Sequence, residues 1–230
     1  MIRPTDQPYY HEGFYWHSRC SGYESHYINT AASHVSKVAQ HVPERRRVAI
    51  QAGGHCGLWA TQLANLFENV YTFEPDMDNF RCLVLNANSW NVYPFRSFLG
   101  CQHEQRLFLM GAESGRGQAG LSILHTVQLD GEPMALTTGV VWGTPTLMID
   151  DLKLNHCDLI CLDVEGYETP ALIGACQTIE KHSPIILTER TGKMSADGQD
   201  YSHETTANLL KAWRYRQVDQ IDKDVIWARQ

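Results

Sequence analysis

The sequence predicts a single α/β domain whose mostly parallel sheet is covered by helices on both faces. Three observations carry this reading. Short apolar runs of strand length alternate with one-sided helical stripes along the chain. Several of those runs end in glycine or in an acid, as strands do when their carboxyl ends face a ligand. Finally, 230 residues with 43% hydrophobic content supply one sizeable core, and no linker or internal repeat divides them.

Residues 1–24 form an aromatic arm (Tyr9, Tyr10, Phe14, Tyr15, Trp16) without a period, read as packing on the body, with cover for a site as the alternative. The domain proper spans 25–230. From Ser25, the spacing of Ile28, Ala32, Val35, Ala39 and Val42 predicts an amphipathic helix that Pro43 stops. Val48-Ala49-Ile50 reads as a strand, Gly53 to Gly57 as a glycine turn, and Trp59, Leu63, Leu66 and Phe67 as one face of a helix. Val70 to Phe73 is a second strand, after which Pro75 suits the first turn of a helix carrying Phe80, Leu83 and Val84.

Further strands are expected over Tyr93 to Leu99 and Arg106 to Met110, followed by a glycine-rich loop from Gly111 to Gly120. Asp158 to Asp163 is a buried-strand pattern tipped by acid. Thr169-Pro170 suits the cap and first position of a helix with Leu172, Cys176 and Ile179. Pro184 to Glu189 is another strand, Thr205 to Trp213 a helix, and Tyr215 to Gln220 with Val225 to Ala228 a closing antiparallel hairpin.

The polar strand tips converge on the place where such sheets bind ligands. Gly53, Gly54 and Gly57 allow a sharp turn with no Cβ between backbone and ligand, and the helix behind them offers N–H groups. Glu74 stands at the second strand's end, where a carboxylate accepts hydrogen bonds from ribose hydroxyls. Gln51, just before the glycine turn, and His55, inside it, are further cofactor-contact candidates. The bland alternatives are a tight turn without a ligand and an N-cap for Glu74. Asp163, Glu165 and Glu168 crowd six residues, so one acid can orient an acceptor or act as base, while helix-terminus charge is the plainer reading and weighs most on Glu168. Glu189 is a further candidate at the neighbouring tip.

Charge and cysteines narrow the classes. A net charge of −7, from 19 Lys and Arg against 26 Asp and Glu, argues against a nucleic-acid partner, and Arg45-Arg46-Arg47 reads as a solvated strand entrance. No signal-peptide pattern or 18-residue apolar stretch is seen, so no membrane partner is expected. Seven cysteines at irregular spacing fit a reducing cytoplasm. Without paired Cys/His spacing or an HExxH segment, no metal is expected.

The run Val48 to Trp59, Val70 to Pro75 with Asn79-Phe80 and Leu85-Asn86, and Asp158 to Glu168 with Leu172, Gly174-Ala175 and Pro184 to Glu189 resemble the FkbM-type family of S-adenosylmethionine-dependent methyltransferases. Asp150-Asp151-Leu152 matches a segment preceding that family's second signature. The resemblance covers residues 45–230. It implies a Rossmann-like class I methyltransferase sheet of seven strands with an antiparallel C-terminal hairpin. It also implies S-adenosylmethionine as cofactor and transfer to a hydroxyl oxygen, with a saccharide or other small metabolite as acceptor. By position it implies cofactor contacts at Gly53, Gly54, Gly57 and Glu74, and puts Asp163, Glu165 and Glu189 around the transferring methyl or the acceptor. The chain departs from the family at Gln51, where Asp is common, and at His55, where Asn is common. Gln51 still accepts a hydrogen bond through its carbonyl.

Two rival readings remain. A nicotinamide-dependent oxidoreductase shares the glycine turn and the acid, but the G-G-x-x-G packing differs and the Asp163 to Gly166 segment has no role there. A non-catalytic module on the same fold is the other, raised by Gln51.

Overall fold

A computed structural model describes residues 7–103, 105–108, 124–125, 143–164, 166–190 and 202–230. The loop expected from Gly111 to Gly120, the strand end Leu109-Met110 and the candidate Glu165 lie outside the described residues. The elements in chain order are β1 (Tyr9–His11), β2 (Phe14–Trp16), α1 (Glu24–Ala39), β3 (Val48–Ala52), α2 (Leu58–Ala64), β4 (Asn69–Phe73), α3 (Met77–Asn86), β5 (Val92–Phe95), β6 (Phe98–Leu99), β7 (Gln105–Phe108), β8 (Leu124–His125), β9 (Gly143–Leu147), β10 (Leu159–Leu162), α4 (Glu168–Ile173), α5 (Cys176–His182), β11 (Ile185–Glu189), α6 (His203–Ala212), β12 (Tyr215–Ile221) and β13 (Asp224–Arg229).

Seven strands form the main sheet in the order β12-β13-β11-β10-β3-β4-β5. The pairs from β11 through β5 are all parallel, and β13 enters antiparallel beside β11. Every residue of β3 and β10 is buried, as continuous apolar strands are when helices cover both faces. Alternation then sorts the core. Ala49, Leu159 and Cys161 face Val35 and Val38 of α1, Leu63 of α2 and Leu83 of α3. Ile50, Ile160 and Leu162 face Leu172 of α4, Ile179 of α5 and Leu210 of α6. A second sheet, β6-β9-β7-β8, is separate in its hydrogen bonding but packs Leu99 and Leu147 against the main core.

Several local expectations are corrected. The buried stripe of α1 runs through Ala31, His34, Val35, Val38 and Ala39, so Ala32 faces solvent. His34 turns inward because its ring nitrogens reach Asp224 at 2.7 Å and Asp222 at 3.2 Å, which latches α1 to the hairpin. Val84 is exposed, and Asp76 caps α3 by accepting from the Asp78 and Asn79 N–H groups, so Pro75 precedes the helix and Glu74 is not its cap. The run Tyr93 to Leu99 splits into β5 and β6, which join different sheets. Arg47 is not merely solvated: its backbone N–H and guanidinium bind Asp158 at 2.9 Å each, tying β3 to β10.

The single helix expected to start at Pro170 begins two residues earlier, at Glu168, and breaks at Gly174-Ala175. Gly174 packs so closely that a Cβ there would meet the Gly100 carbonyl oxygen at 1.9 Å. Asp150 then starts α5 afresh, accepting from the Thr178 and Gln177 N–H groups at 2.8 and 3.0 Å. Thr169 caps nothing; its hydroxyl pairs with that of Thr206 at 2.8 Å.

Candidate functional site

The sheet reverses its strand order between β3 and β10, and the tips on either side of that point carry the candidate residues. Register fixes their neighbours. Ala52 pairs with Leu162 and Leu162 with Thr188, so Gly53 and Asp163, just past β3 and β10, and Glu189, the last residue of β11, follow at the tips of three adjacent strands. Ala52 also pairs with Phe73, which sets Glu74 on the other side of the glycine turn.

The turn is built for close packing within the chain. Gly53 has φ +82°, and a Cβ on it would meet the Asp163 carbonyl oxygen at 1.9 Å; at Gly54 it would meet Leu83 Cδ1 at 2.4 Å. The Gly53 and Gly54 N–H groups both donate to the Phe73 carbonyl, and Gly57 N–H donates to the Gly54 carbonyl. Glycine is therefore demanded here by neighbouring protein, whereas the sequence reading attributed it to a ligand's approach.

Gln51 is buried and spent on the same turn. Its amide nitrogen donates to the Gly53 carbonyl at 2.9 Å, and its carbonyl accepts from the Thr72 hydroxyl at 2.5 Å. Glu74 is 3% exposed; one oxygen accepts from His55 N–H at 2.6 Å and the other from Asp76 N–H at 2.8 Å. Burial, reinforced by the charge of Asp76, pushes its carboxyl up to about 7 despite those two donors.

Across the reversal point, Asp163 is exposed and Glu189 is buried. Glu189 forms an ion pair with Lys223, and its Oε2 has no hydrogen-bond partner among the described residues. Glu168, assigned from sequence chiefly to helix-terminus charge, is 1% exposed and accepts from Val164 N–H at 3.2 Å and Gly166 N–H at 3.4 Å. Burial pushes it up to about 7, and the nearby Glu189 charge adds to this. A buried acid titrating near neutrality next to a second acid is a fit arrangement for moving protons. Sequence spacing carried no sign of which of the crowded acids turns inward.

The arm meets the turn from outside the sheet. Trp16, Cys20, Cys56, Leu58 and Cys82 share a core cluster with Ala31 of α1. Asn86 bridges arm and turn, donating to the Tyr15 and Cys56 carbonyls at 2.7 Å each. Tyr27 stacks at a tilt against His55 with ring centroids 4.9 Å apart. The Cys56 hydrogen bond, opposed by burial and aided by His17 and His55, pushes the Cys20 thiol down while pushing Cys56 up. This thiol cluster escaped the sequence reading; the signal that could have found it is His17-x-x-Cys20 together with the adjacent His55-Cys56.

A cavity of about 390 Å³ lies between α6 and the hairpin, lined by His203, Arg214 and Trp227 among others. No described helix is long and apolar enough to cross a membrane.

Strand order, antiparallel hairpin and polar tips together define a Rossmann-like fold of the class I methyltransferase kind. The sequence model of the methyltransferase FkbM domain matches residues 52–217, and the chain belongs to that family. Its fold is similar to that of methyltransferase FkbM from Methylobacillus flagellatus KT, at 18% identity and a TM-score of 0.52, covering 80% of this chain and 44% of that one. The chain thus spans less than half the length of that protein. The magnesium protoporphyrin IX methyltransferase of Synechocystis PCC 6803, solved with bound SAM, is a more distant match at 9% identity and a TM-score of 0.45, covering 89% and 80% of the two chains. No curated protein matches the chain.

Proposed function

We propose that the chain binds S-adenosylmethionine at the tips of β3 and β4 and transfers its methyl group to a hydroxyl oxygen, with a saccharide or other small hydroxylated metabolite as acceptor. Family membership supports methyl transfer. The observation that carries the cofactor reading is Glu74, a buried acceptor carboxylate at the end of β4, hydrogen-bonded to the backbone of the glycine turn. Its donor set fits the group: a carboxylate for ribose hydroxyls next to a close-packed turn of Gly53, Gly54, His55 and Gly57. Gln51 acts behind this turn as its brace.

When bound, the cofactor supplies an electrophilic methyl on a positively charged sulfur. The chain's own part is to position the acceptor and take its proton. Asp163, exposed beside Gly53, orients the acceptor, and Glu168 takes the hydroxyl proton at its carboxylate, whose proton affinity burial holds near neutrality with the charge of Glu189 adding to it. Glu165, which follows Val164 in the sequence, is a further proposed acceptor contact. A reducing cytoplasm suits the free thiols.

One observation favours a second reading, a non-catalytic module. Both Glu74 oxygens and the N–H groups of Gly53, Gly54, His55 and Gly57 already have partners within the chain. Calorimetric titration with S-adenosylmethionine and with its demethylated product, on the wild type and on Glu74→Gln, tests both. Binding that the substitution weakens at least tenfold supports the cofactor site. Binding without turnover across hydroxylated acceptors favours the module, and no binding at millimolar ligand overturns the proposal.

A further inference from the structure

We infer that His17, Cys20 and Cys56, with His55 as fourth ligand, form a site for a zinc-class divalent cation that pins the N-terminal arm to the glycine turn. A ring nitrogen of His17 and the two sulfurs lie within 4.8 Å of one another, and all three residues are buried. Two of the spacings are those of a coordination sphere, and His55 joins the three-residue cluster through Cys20. Two thiolates on one tetrahedral zinc, each about 2.3 Å from the metal, stand about 3.8 Å apart. The Cys20 and Cys56 sulfurs are 3.7 Å apart. A thiolate and an imidazole nitrogen on the same ion stand about 3.6 Å apart by the same geometry. Cys20 Sγ and His55 Nε2 are 3.6 Å apart.

The surroundings support the same reading. His17 Nε2 is held by Asn79 Oδ1 at 2.8 Å, the kind of oxygen partner that orients ligating histidines. Sulfur and imidazole donors select zinc or its neighbours in the transition series over magnesium or calcium. The ligands come from both sides of one junction, His17 and Cys20 from the arm and His55 and Cys56 from the turn, so binding joins segments that Asn86 already bridges. This departs from the sequence expectation of no metal, and it does not rest on the cofactor reading.

The test is cobalt titration of the reduced, metal-stripped chain. Expected are uptake of one equivalent, the intense visible bands of tetrahedral thiolate coordination, and their loss on adding zinc. Cys20→Ser, His17→Ala and His55→Ala each weaken uptake at least tenfold, whereas Cys176→Ser, which alters an exposed thiol, leaves it unchanged. Absence of thiolate bands in the wild type under reducing conditions overturns the site without reference to any variant. Unchanged uptake in a Cys20→Ser/Cys56→Ser double variant overturns it equally.

Discussion

Replacing Glu74 by glutamine should change the pH dependence of stability by an amount that the structure sets. In the folded chain the carboxyl titrates near 7, against an ordinary value of 4.5, because burial and Asp76 oppose its charge. The fold therefore favours the neutral form. This contribution is fully present below pH 4.5 and is lost as pH rises through about 7. At about 1.4 kcal/mol per pH unit, that interval is worth about 3 kcal/mol. Glutamine cannot titrate, so the variant lacks this slope. Urea unfolding followed by circular dichroism at about pH 5 and about pH 8.5 should show wild type losing about 2.5 kcal/mol relative to Glu74→Gln. At the lower pH the wild type is the more stable of the two, because the glutamine amide offers one acceptor oxygen to two N–H donors. A gap between the two proteins that stays constant with pH refutes the argument.

Other substitutions test other parts of the molecule. Gly53→Ala combines a positive φ with a 1.9 Å approach to the Asp163 carbonyl and should cost about 4 kcal/mol or more, read as a fall in unfolding temperature. Asp150→Ala removes the acceptor for the first turn of α5 and should cost about 1 to 2 kcal/mol, measured by chemical denaturation. Once an acceptor is in hand, the wild-type rate should rise with pH through about 7 and level off as Glu168 loses its proton, and Glu168→Gln should abolish that limb and lower the rate by about 100-fold or more.

The main sheet was legible because β3 and β10 are short runs buried on both faces, and β11 is buried at all but its first residue, which leaves little ambiguity. The spacing from Gly57 to Glu74 was legible for the same reason: one helix returns the chain to the neighbouring strand, so both lie at adjacent tips. What stayed hidden depends on partners distant in sequence. The break at Gly174 is set by Gly100 and Asp150, and the inward turn of His34 by Asp224, 190 positions away. Glu168 differs from Asp163 only in which way the loop turns them, and Cys20 meets Cys56 only once the arm has docked.

The hairpin's place in the sheet bears on how the chain is made. β13 follows β12 in sequence yet lies between β12 and β11. As the polypeptide leaves the ribosome, β11 stays an open edge, and β12 has nothing to dock on until the strand after it has emerged. Unpaired apolar edges invite pairing with other chains. A stall or truncation within β13 leaves Ile186 and Leu187 without their ladder partners Trp227 and Ile226. β13 thus works as the closing stitch of the sheet, and nascent chains released before it should be aggregation-prone clients of chaperones, however well formed their upstream part is.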